Sequence, residues 1–275
     1  MIAGLGEVLT DAKKDNRAIA GLVCLGWEDM RAYVKAAELE NQPIIIQAGP
    51  SCRRHTPLRV LGPMMRYLAE EASVPVVVHL DHGANIDECR QAIASGFSSV
   101  MYDGSRLPLK KNIRATRAVV ELAHEKGISV EGEIGFVGYA EGEVSATTDP
   151  EEAALFAKET GIDAMAISVG NVHLQLDSET ELDEQVIQEI QSLTDTPLVI
   201  HGGSGVPVSQ RAKLAASSNI CKYNIGTELR SLFGSELRGL LDQNSEIFDR
   251  VQILSSVESR LIEGARSVLR SLSNG

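Results

Sequence analysis

The chain has 275 residues, 43% of them hydrophobic and 23% charged, with a formal net charge of -12. That length suits one barrel-type domain or two small ones, and the negative field excludes a protein that holds nucleic acid by bulk electrostatics. Residues 1–4 lack the basic start and apolar run of a secretory leader, and no stretch approaches the ~20 apolar residues of a membrane span. A cytoplasmic protein, with neither nucleic acid nor membrane as partner, is therefore expected.

In chain order, strand-like apolar runs alternate with segments of helical periodicity. Residues 18–23 form the first run, and 28–40 follow with Met30, Tyr33, Val34 and Ala37 at helical spacing. Residues 43–48, with Ile44, Ile45 and Ile46, repeat the strand signal before a helix at 57–72 carried by Leu58, Leu61, Met65 and Leu68. The third run, 74–82, is the most informative: Val76, Val77 and Val78 break abruptly into Asp81, His82 and Gly83. A helix over 86–95 is ended by Gly96, as helices often are.

The fourth strand, 98–102, delivers Asp103, and a helix is expected over 110–125. The fifth, 128–134, carries Glu131 and Glu133; a Gly-rich stretch then leads to a helix at 149–159, where Asp149 followed by Pro150 has the form of an N-cap with proline in the first turn. The sixth, 164–169, opens into His173, with a helix at 183–193. The seventh, 197–200, ends in His201-Gly202-Gly203-Ser204-Gly205, and a short helix spans 209–216. The eighth, 220–225, contains Lys222, Tyr223 and Asn224 and passes into a helix over 227–241.

Eight strands alternating with helices, with no linker between them, predict a single-domain α/β fold over 1–275, a closed (β/α)8 barrel with residues 244–275 as a helical C-terminal extension. An open doubly wound sheet is the alternative, but it gathers its ligands at one switch point, whereas here polar residues end strands three to eight. Cys24, Cys52, Cys89 and Cys221 form no close pair, so buried free thiols are expected rather than a disulfide framework.

The strand ends bring three histidines together at the barrel mouth: His82, His173 and His201. Singly, each would more often be a hydrogen-bonded structural residue; together they match a three-histidine site with an open coordination position, the pattern of catalytic zinc. His55, expected in a loop, and His124, late in a helix, lack this placement, and His79 reads as buried scaffolding. Asp81 is either a structural partner of its neighbours or an acid/base carboxylate. The glycines after His201 either make a tight turn that barrel geometry requires or present backbone N–H groups to an anion, where barrel enzymes commonly hold phosphate. Gly135, Gly138 and Gly142 would give a loop the freedom to carry a proton donor, unless the stretch is a solvated acidic loop.

The stretches His79-Leu80-Asp81-His82-Gly83, Met101-Tyr102-Asp103-Gly104-Ser105, Val130-Glu131-Gly132-Glu133-Ile134-Gly135, His201-Gly202-Gly203-Ser204-Gly205 and Asn224-Ile225-Gly226-Thr227-Glu228 together resemble the class II, zinc-dependent ketose-bisphosphate aldolases, over about residues 18–230. The resemblance implies a (β/α)8 barrel and reversible cleavage of a ketose 1-phosphate or bisphosphate to dihydroxyacetone phosphate and an aldehyde. It makes His82, His173 and His201 the zinc ligands, with Asp103 and Glu133 able to hold a second or displaced ion, and it leaves room for a monovalent cation. Asp81 becomes the general acid/base, Glu141 the loop residue that exchanges a proton at the nucleophilic carbon, and Asn224 a partner of the developing charge. Gly202, Gly203, Ser204, Asn224 and Thr227 fall where the family holds the ketose and its phosphate. Ser51, with Arg53 and Arg54, follows the second strand, where a distal phosphate or carboxylate would sit unless these residues form a solvated loop. A homodimer or homotetramer is implied.

Four positions depart from the family. Cys24-Leu25-Gly26-Trp27 stands where the family has Phe-Asn, Leu174 replaces a glycine behind His173, Tyr139 replaces a small loop residue, and Gly226 stands where relatives carry Asp or Ala. The metal and acid/base set is intact while the substrate-facing set is altered. Two other functions remain open on the residues: a metal-dependent sugar-phosphate isomerase or epimerase, and a metal-binding barrel without turnover.

Overall fold

In the computed structural model, which describes residues 1–138, 144–175 and 180–273, eight parallel strands follow one another around a closed barrel. They are β1 (Ile19–Cys24), β2 (Ile44–Ala48), β3 (Val76–Gly83), β4 (Ser99–Tyr102), β5 (Ser129–Ile134), β6 (Ala164–Ile167), β7 (Leu198–Ile200) and β8 (Ile220–Ile225). Pairing of β1 with β8, Gly21 opposite Asn224, closes the ring and rules out the open sheet. The helices are α1 (Leu5–Lys14), α2 (Trp27–Glu40), α3 (Pro50–His55), α4 (Leu58–Glu71), α5 (Ile86–Ala94), α6 (Leu109–His124), α7 (Pro150–Thr160), α8 (Glu184–Leu193), α9 (Val208–Ser217), α10 (Thr227–Gln243) and α11 (Arg250–Leu272).

The period of two along each strand sorts side chains into two compartments. Ile44, Ile46, Val76, Val78 and Leu80 face the helices and join the larger core cluster. Ile45 and Val77 point inside the barrel, where they meet Ile19, Met101 and Val199. This lower interior is apolar. Two pleats further along β3, the inward positions are His79 and Asp81, so the barrel interior turns polar toward the carboxyl ends of its strands.

The first helix, α1, is absent from the sequence expectations. Leu5, Val8, Leu9 and Ala12 make one apolar face, and that face seals the amino end of the barrel against Ile19, Val77 and Val199. The expected cap is present on α7, where Asp149 accepts from the Glu152 amide at 2.9 Å with Pro150 beside it, and Asn85 caps α5 in the same way, accepting from the Glu88 amide at 2.9 Å. The C-terminal segment folds back as α11 against α2 and α10. Glu40 of α2 clamps it, accepting from Arg266 at 2.6 Å and from Arg270 at 2.8 Å. Among the described residues, no helix is long and apolar enough to cross a membrane.

Candidate active site

Two consecutive residues of β3, Asp81 and His82, face the same cavity, which a regular strand forbids because alternate side chains point to opposite faces. The β3–β4 register shifts between Leu80 and Gly83, and His82 adopts φ 50, in the left-handed region. A bulge with one left-handed residue re-aims a side chain, at a conformational cost of about 1–2 kcal/mol for a residue with a Cβ. Arg53 holds this bend. Its guanidinium, only 7% exposed, donates to the carbonyls of Ala48 at 2.7 Å, of Asp81, and of His82 at 2.9 Å, and its Nε meets Glu88 at 2.9 Å. Arg53 is thus committed to the scaffold, and the segment expected as a solvated loop is helix α3, with His55 at its end.

The three histidines converge. Their ring centroids lie 4.6 Å apart for His82 and His201, 5.1 Å for His82 and His173, and 5.5 Å for His173 and His201, and one nitrogen from each falls within 4.8 Å of the others. His82 Nε2 faces His201 Nδ1 at 3.0 Å. The far nitrogens are taken by carboxylates: Asp103 Oδ2 lies 3.0 Å from His82 Nδ1 and Glu131 Oε1 lies 3.0 Å from His201 Nε2. Carboxylates placed behind imidazoles in this way orient metal ligands and raise their basicity. His173 is fixed through its backbone, which donates to Gly138 O at 2.8 Å.

Electrostatics at the cluster favour a cation. Burial works against charge on His82, yet Asp81, Asp103 and Glu133 together carry its pKa up to about 10. Burial, then the field of His82, holds His201 and His173 below the usual imidazole range. Burial, reinforced by Asp103, raises Glu133 to about 8. Its Oε2 is buried without a hydrogen-bond partner, 3.7 Å from His82 Nδ1. His82, Asp103 and Glu133 form a second group of possible ligands that shares His82 with the first. An orphaned carboxylate oxygen beside three convergent imidazoles fits a borderline-soft divalent ion such as zinc.

Asp81 is 5% exposed. Although burial tends to raise its pKa, His82, His201 and Lys222 hold it below the usual carboxylate range. Asn224 donates to Asp81 Oδ1 at 3.2 Å, and the bare Cα of Gly49 leaves room for Oδ2, which would stand 3.2 Å from a Cβ there. Asp81, His82 and His173 line a cavity of about 220 Å3 with Ser51, Gly202, Ser204, Asn224 and Thr227. Gly203 is not among the residues that line it; it is buried beside Asn224 O and Ile225. Ser204 Oγ accepts from the amides of Gly226 at 3.2 Å and Glu228 at 3.3 Å, so it caps α10 and sets that helix's positive end at the cavity. Gly202 has φ 64, and a Cβ there would meet Val172 O at 2.1 Å.

Leu174 also lines the cavity, half exposed, and its φ of 58 is left-handed. The backbone here has the conformation that glycine adopts freely, now imposed on a branched side chain. Leu25 faces away, into a separate groove beside Phe233 and Leu237, while Val23 lines the cavity. Glu141 and Tyr139 lie outside the described residues. Two residues not singled out from sequence prove central. Asn171, fully buried, ties the β6 end to the β7 end by donating to His201 O at 3.0 Å while accepting from Val169 N at 2.8 Å; an Asn just after a strand and a glycine was its only signal. Lys222, in the interior of β8, is the other.

A polar cluster at the carboxyl ends of the strands defines a (β/α)8-barrel enzyme. The family model for "Fructose-bisphosphate aldolase class-II" matches residues 3–274, and the chain belongs to that family. It is an aldolase, a carbon–carbon lyase of carbohydrate metabolism. Among its relatives are a fructose-bisphosphate aldolase of Staphylococcus aureus, 33% identical with 98% of this chain and 96% of the relative covered, and a 6-phospho-5-dehydro-2-deoxy-D-gluconate aldolase of Bacillus subtilis, 37% identical with 96% and 93% covered. The crystal structure of the YdjI aldolase from Escherichia coli K12 superposes with a TM-score of 0.86 at 29% identity, covering 99% of this chain and 97% of the other.

Proposed function

We propose that this aldolase is zinc-dependent and cleaves a ketose 1-phosphate that bears a second anionic group, reversibly releasing dihydroxyacetone phosphate and an anionic aldehyde. The observation that carries the reading is the juxtaposition of the three-histidine cluster with Asp81, whose carboxylate is held by Asn224 at 3.2 Å in the same cavity. His82, His173 and His201 would hold the metal, with Asp103 and Glu133 offering an alternate position. When bound, zinc supplies the Lewis acid that polarises the ketose carbonyl and carries the charge left by bond cleavage.

The remaining work falls to the chain's own residues. Asp81 takes the C4 hydroxyl proton as the C3–C4 bond breaks, and returns it in the condensation direction. Asn224 fixes Asp81 and lies beside the developing charge. Glu141 is assigned the proton transfer at the nucleophilic carbon. The C1 phosphate is placed at Gly202, Ser204 and Thr227, where the amino end of α10 attracts anions. The cavity also carries Ser51, Arg54 and Arg230, which suit a carboxylate or second phosphate on the aldehyde half. The gluconate-derived name of the Bacillus subtilis relative agrees with a carboxylate there. A cytoplasmic homo-oligomer is part of the same reading.

A panel of ketose 1-phosphates, bisphosphates and phosphorylated keto acids, assayed for triose-phosphate release, tests it. Activity should require a distal anion, and Arg54→Ala should raise KM for those substrates while sparing neutral ones. Equal kcat/KM for neutral and anionic substrates would refute the anionic-aldehyde assignment. Isotope exchange without cleavage of any substrate would favour the isomerase reading.

A further inference from the structure

Lys222 has no part in the reaction outlined above, yet its ammonium is fully buried in the barrel interior. It lies 2.6 Å from Glu131 Oε2 and 3.4 Å from His79 Nε2. His79 in turn shares a hydrogen bond of 2.9 Å with Ser99 Oγ. The other oxygen of Glu131 faces His201 Nε2 at 3.0 Å, and the opposite side of that imidazole faces His82. Lys222, Glu131, His79, Ser99 and His201 are all without solvent exposure. An unbroken chain of hydrogen bonds therefore crosses the barrel beneath the histidine cluster.

We propose that Lys222 is a positioning residue for the metal ligand His201: by donating to Glu131 Oε2 it fixes the carboxylate so that Oε1 accepts from His201 Nε2–H, leaving Nδ1 as the ligating nitrogen. The inference rests on the metal site assigned above. Its physical basis is the polarity of the groups. An ammonium only donates and a carboxylate only accepts, so every hydrogen bond along Lys222, Glu131 and His201 has one allowed direction. His82 is set in the opposite sense, since Asp103 takes its Nδ1 and leaves Nε2. The two imidazoles thus present different nitrogens toward one point.

Glu131→Gln tests the polarity while keeping the shape. Lys222, still an obligate donor, would claim the amide oxygen and turn the NH2 toward His201 Nε2. That nitrogen would then need a lone pair, and the proton would move to Nδ1, blocking coordination. Zinc affinity, measured by chelator competition, should fall roughly 100-fold, the upper end for loss of a partner behind a ligand. The double variant Glu131→Gln with Lys222→Met removes the donor, frees the amide to turn its oxygen to His201, and should bind zinc roughly tenfold or more tighter than the single variant. A buried pair of merely structural importance would not show this rescue.

The outcomes separate. Wild-type protein that binds no zinc would overturn the metal reading and this inference with it. Wild-type binding that persists undiminished in Glu131→Gln, or a double variant no better than the single one, would overturn the inference alone. Should Glu131→Gln fail to fold, 15N NMR of the zinc-loaded wild-type imidazoles decides instead: His201 should be protonated at Nε2 and ligated at Nδ1, and the reverse assignment would sink the proposal.

Discussion

Asn224 Nδ2 stands 3.2 Å from Asp81 Oδ1, linking β8 to β3 across the mouth of the barrel and leaving the second carboxylate oxygen open beside Gly49. Asp81→Asn keeps this shape and removes the base. Turnover should fall by roughly 10²–10⁴-fold with zinc content unchanged by metal analysis. Near wild-type turnover would reduce Asp81 to a structural partner of Asn224.

Purified protein should hold about one zinc per chain, as a three-histidine site implies. Chelation should abolish aldol cleavage and added zinc should restore it. Full activity in excess chelator, together with a borohydride-trapped lysine adduct, would replace the metal by Schiff-base chemistry.

Leu174 adopts φ 58 where it lines the cavity. Leu174→Gly should relieve about 1–2 kcal/mol of left-handed strain against about 0.5–1 kcal/mol of added unfolded-state entropy, so thermal stability should hold or rise. If the side chain also crowds the C1 phosphate, kcat/KM for fructose 1,6-bisphosphate should rise about tenfold, or 1.4 kcal/mol in transition-state binding. Unchanged ratios across a substrate panel would show that Leu174 does not set specificity.

Arg53 joins the ends of β2 and β3 to α5 through the Ala48 carbonyl, two carbonyls of the bend at Asp81 and His82, and Glu88. Arg53→Met should lower stability by about 1–3 kcal/mol, because it takes the donor from buried backbone carbonyls while the partly exposed Glu88 can turn to water. Denaturant unfolding measures this, and a loss under 1 kcal/mol would show that the bend stands without it.

Arg270 and Arg266 lower the pKa of Glu40 to about 2 from an ordinary 4.5. A depressed carboxylate pKa stabilises the folded state above the unfolded value, and that contribution is lost as pH falls from about 4.5 toward 2. Wild type should therefore melt above Glu40→Gln near pH 7, with the gap closing between pH 4.5 and 2. Arg270 is more than half exposed and solvent screens its pair, so the gap should be modest. A gap that persists at pH 2 would mean that Glu40 acts by packing alone.

The barrel was legible because β-branched runs such as Val76-Val77-Val78 alternate with helical periodicity and end in glycine or polar residues. α1 was not, although Leu5, Val8, Leu9 and Ala12 recur at helical spacing: what makes that face necessary is the open amino end of the barrel it covers. The three histidines were legible for a similar local reason, since each ends or closely follows an apolar run, and parallel strands in a closed barrel deliver all such ends to one rim.

Local pattern could not reveal what depends on distance across the interior. A lysine inside a strand is ordinarily read as solvent-facing; Lys222 is buried only because Glu131, 91 residues earlier in the chain, lies opposite it inside the ring. Arg53, by sequence a candidate for a distal anion or part of a solvated loop, is claimed instead by the Asp81 and His82 carbonyls. By itself, the sequence determined the order of strands, the residue types at their ends and the glycine departure at Leu174. Tertiary structure decided which nitrogens and oxygens meet, because closure of the barrel and the left-handed turn at His82 bring residues from six different strands or their following loops within hydrogen-bonding reach.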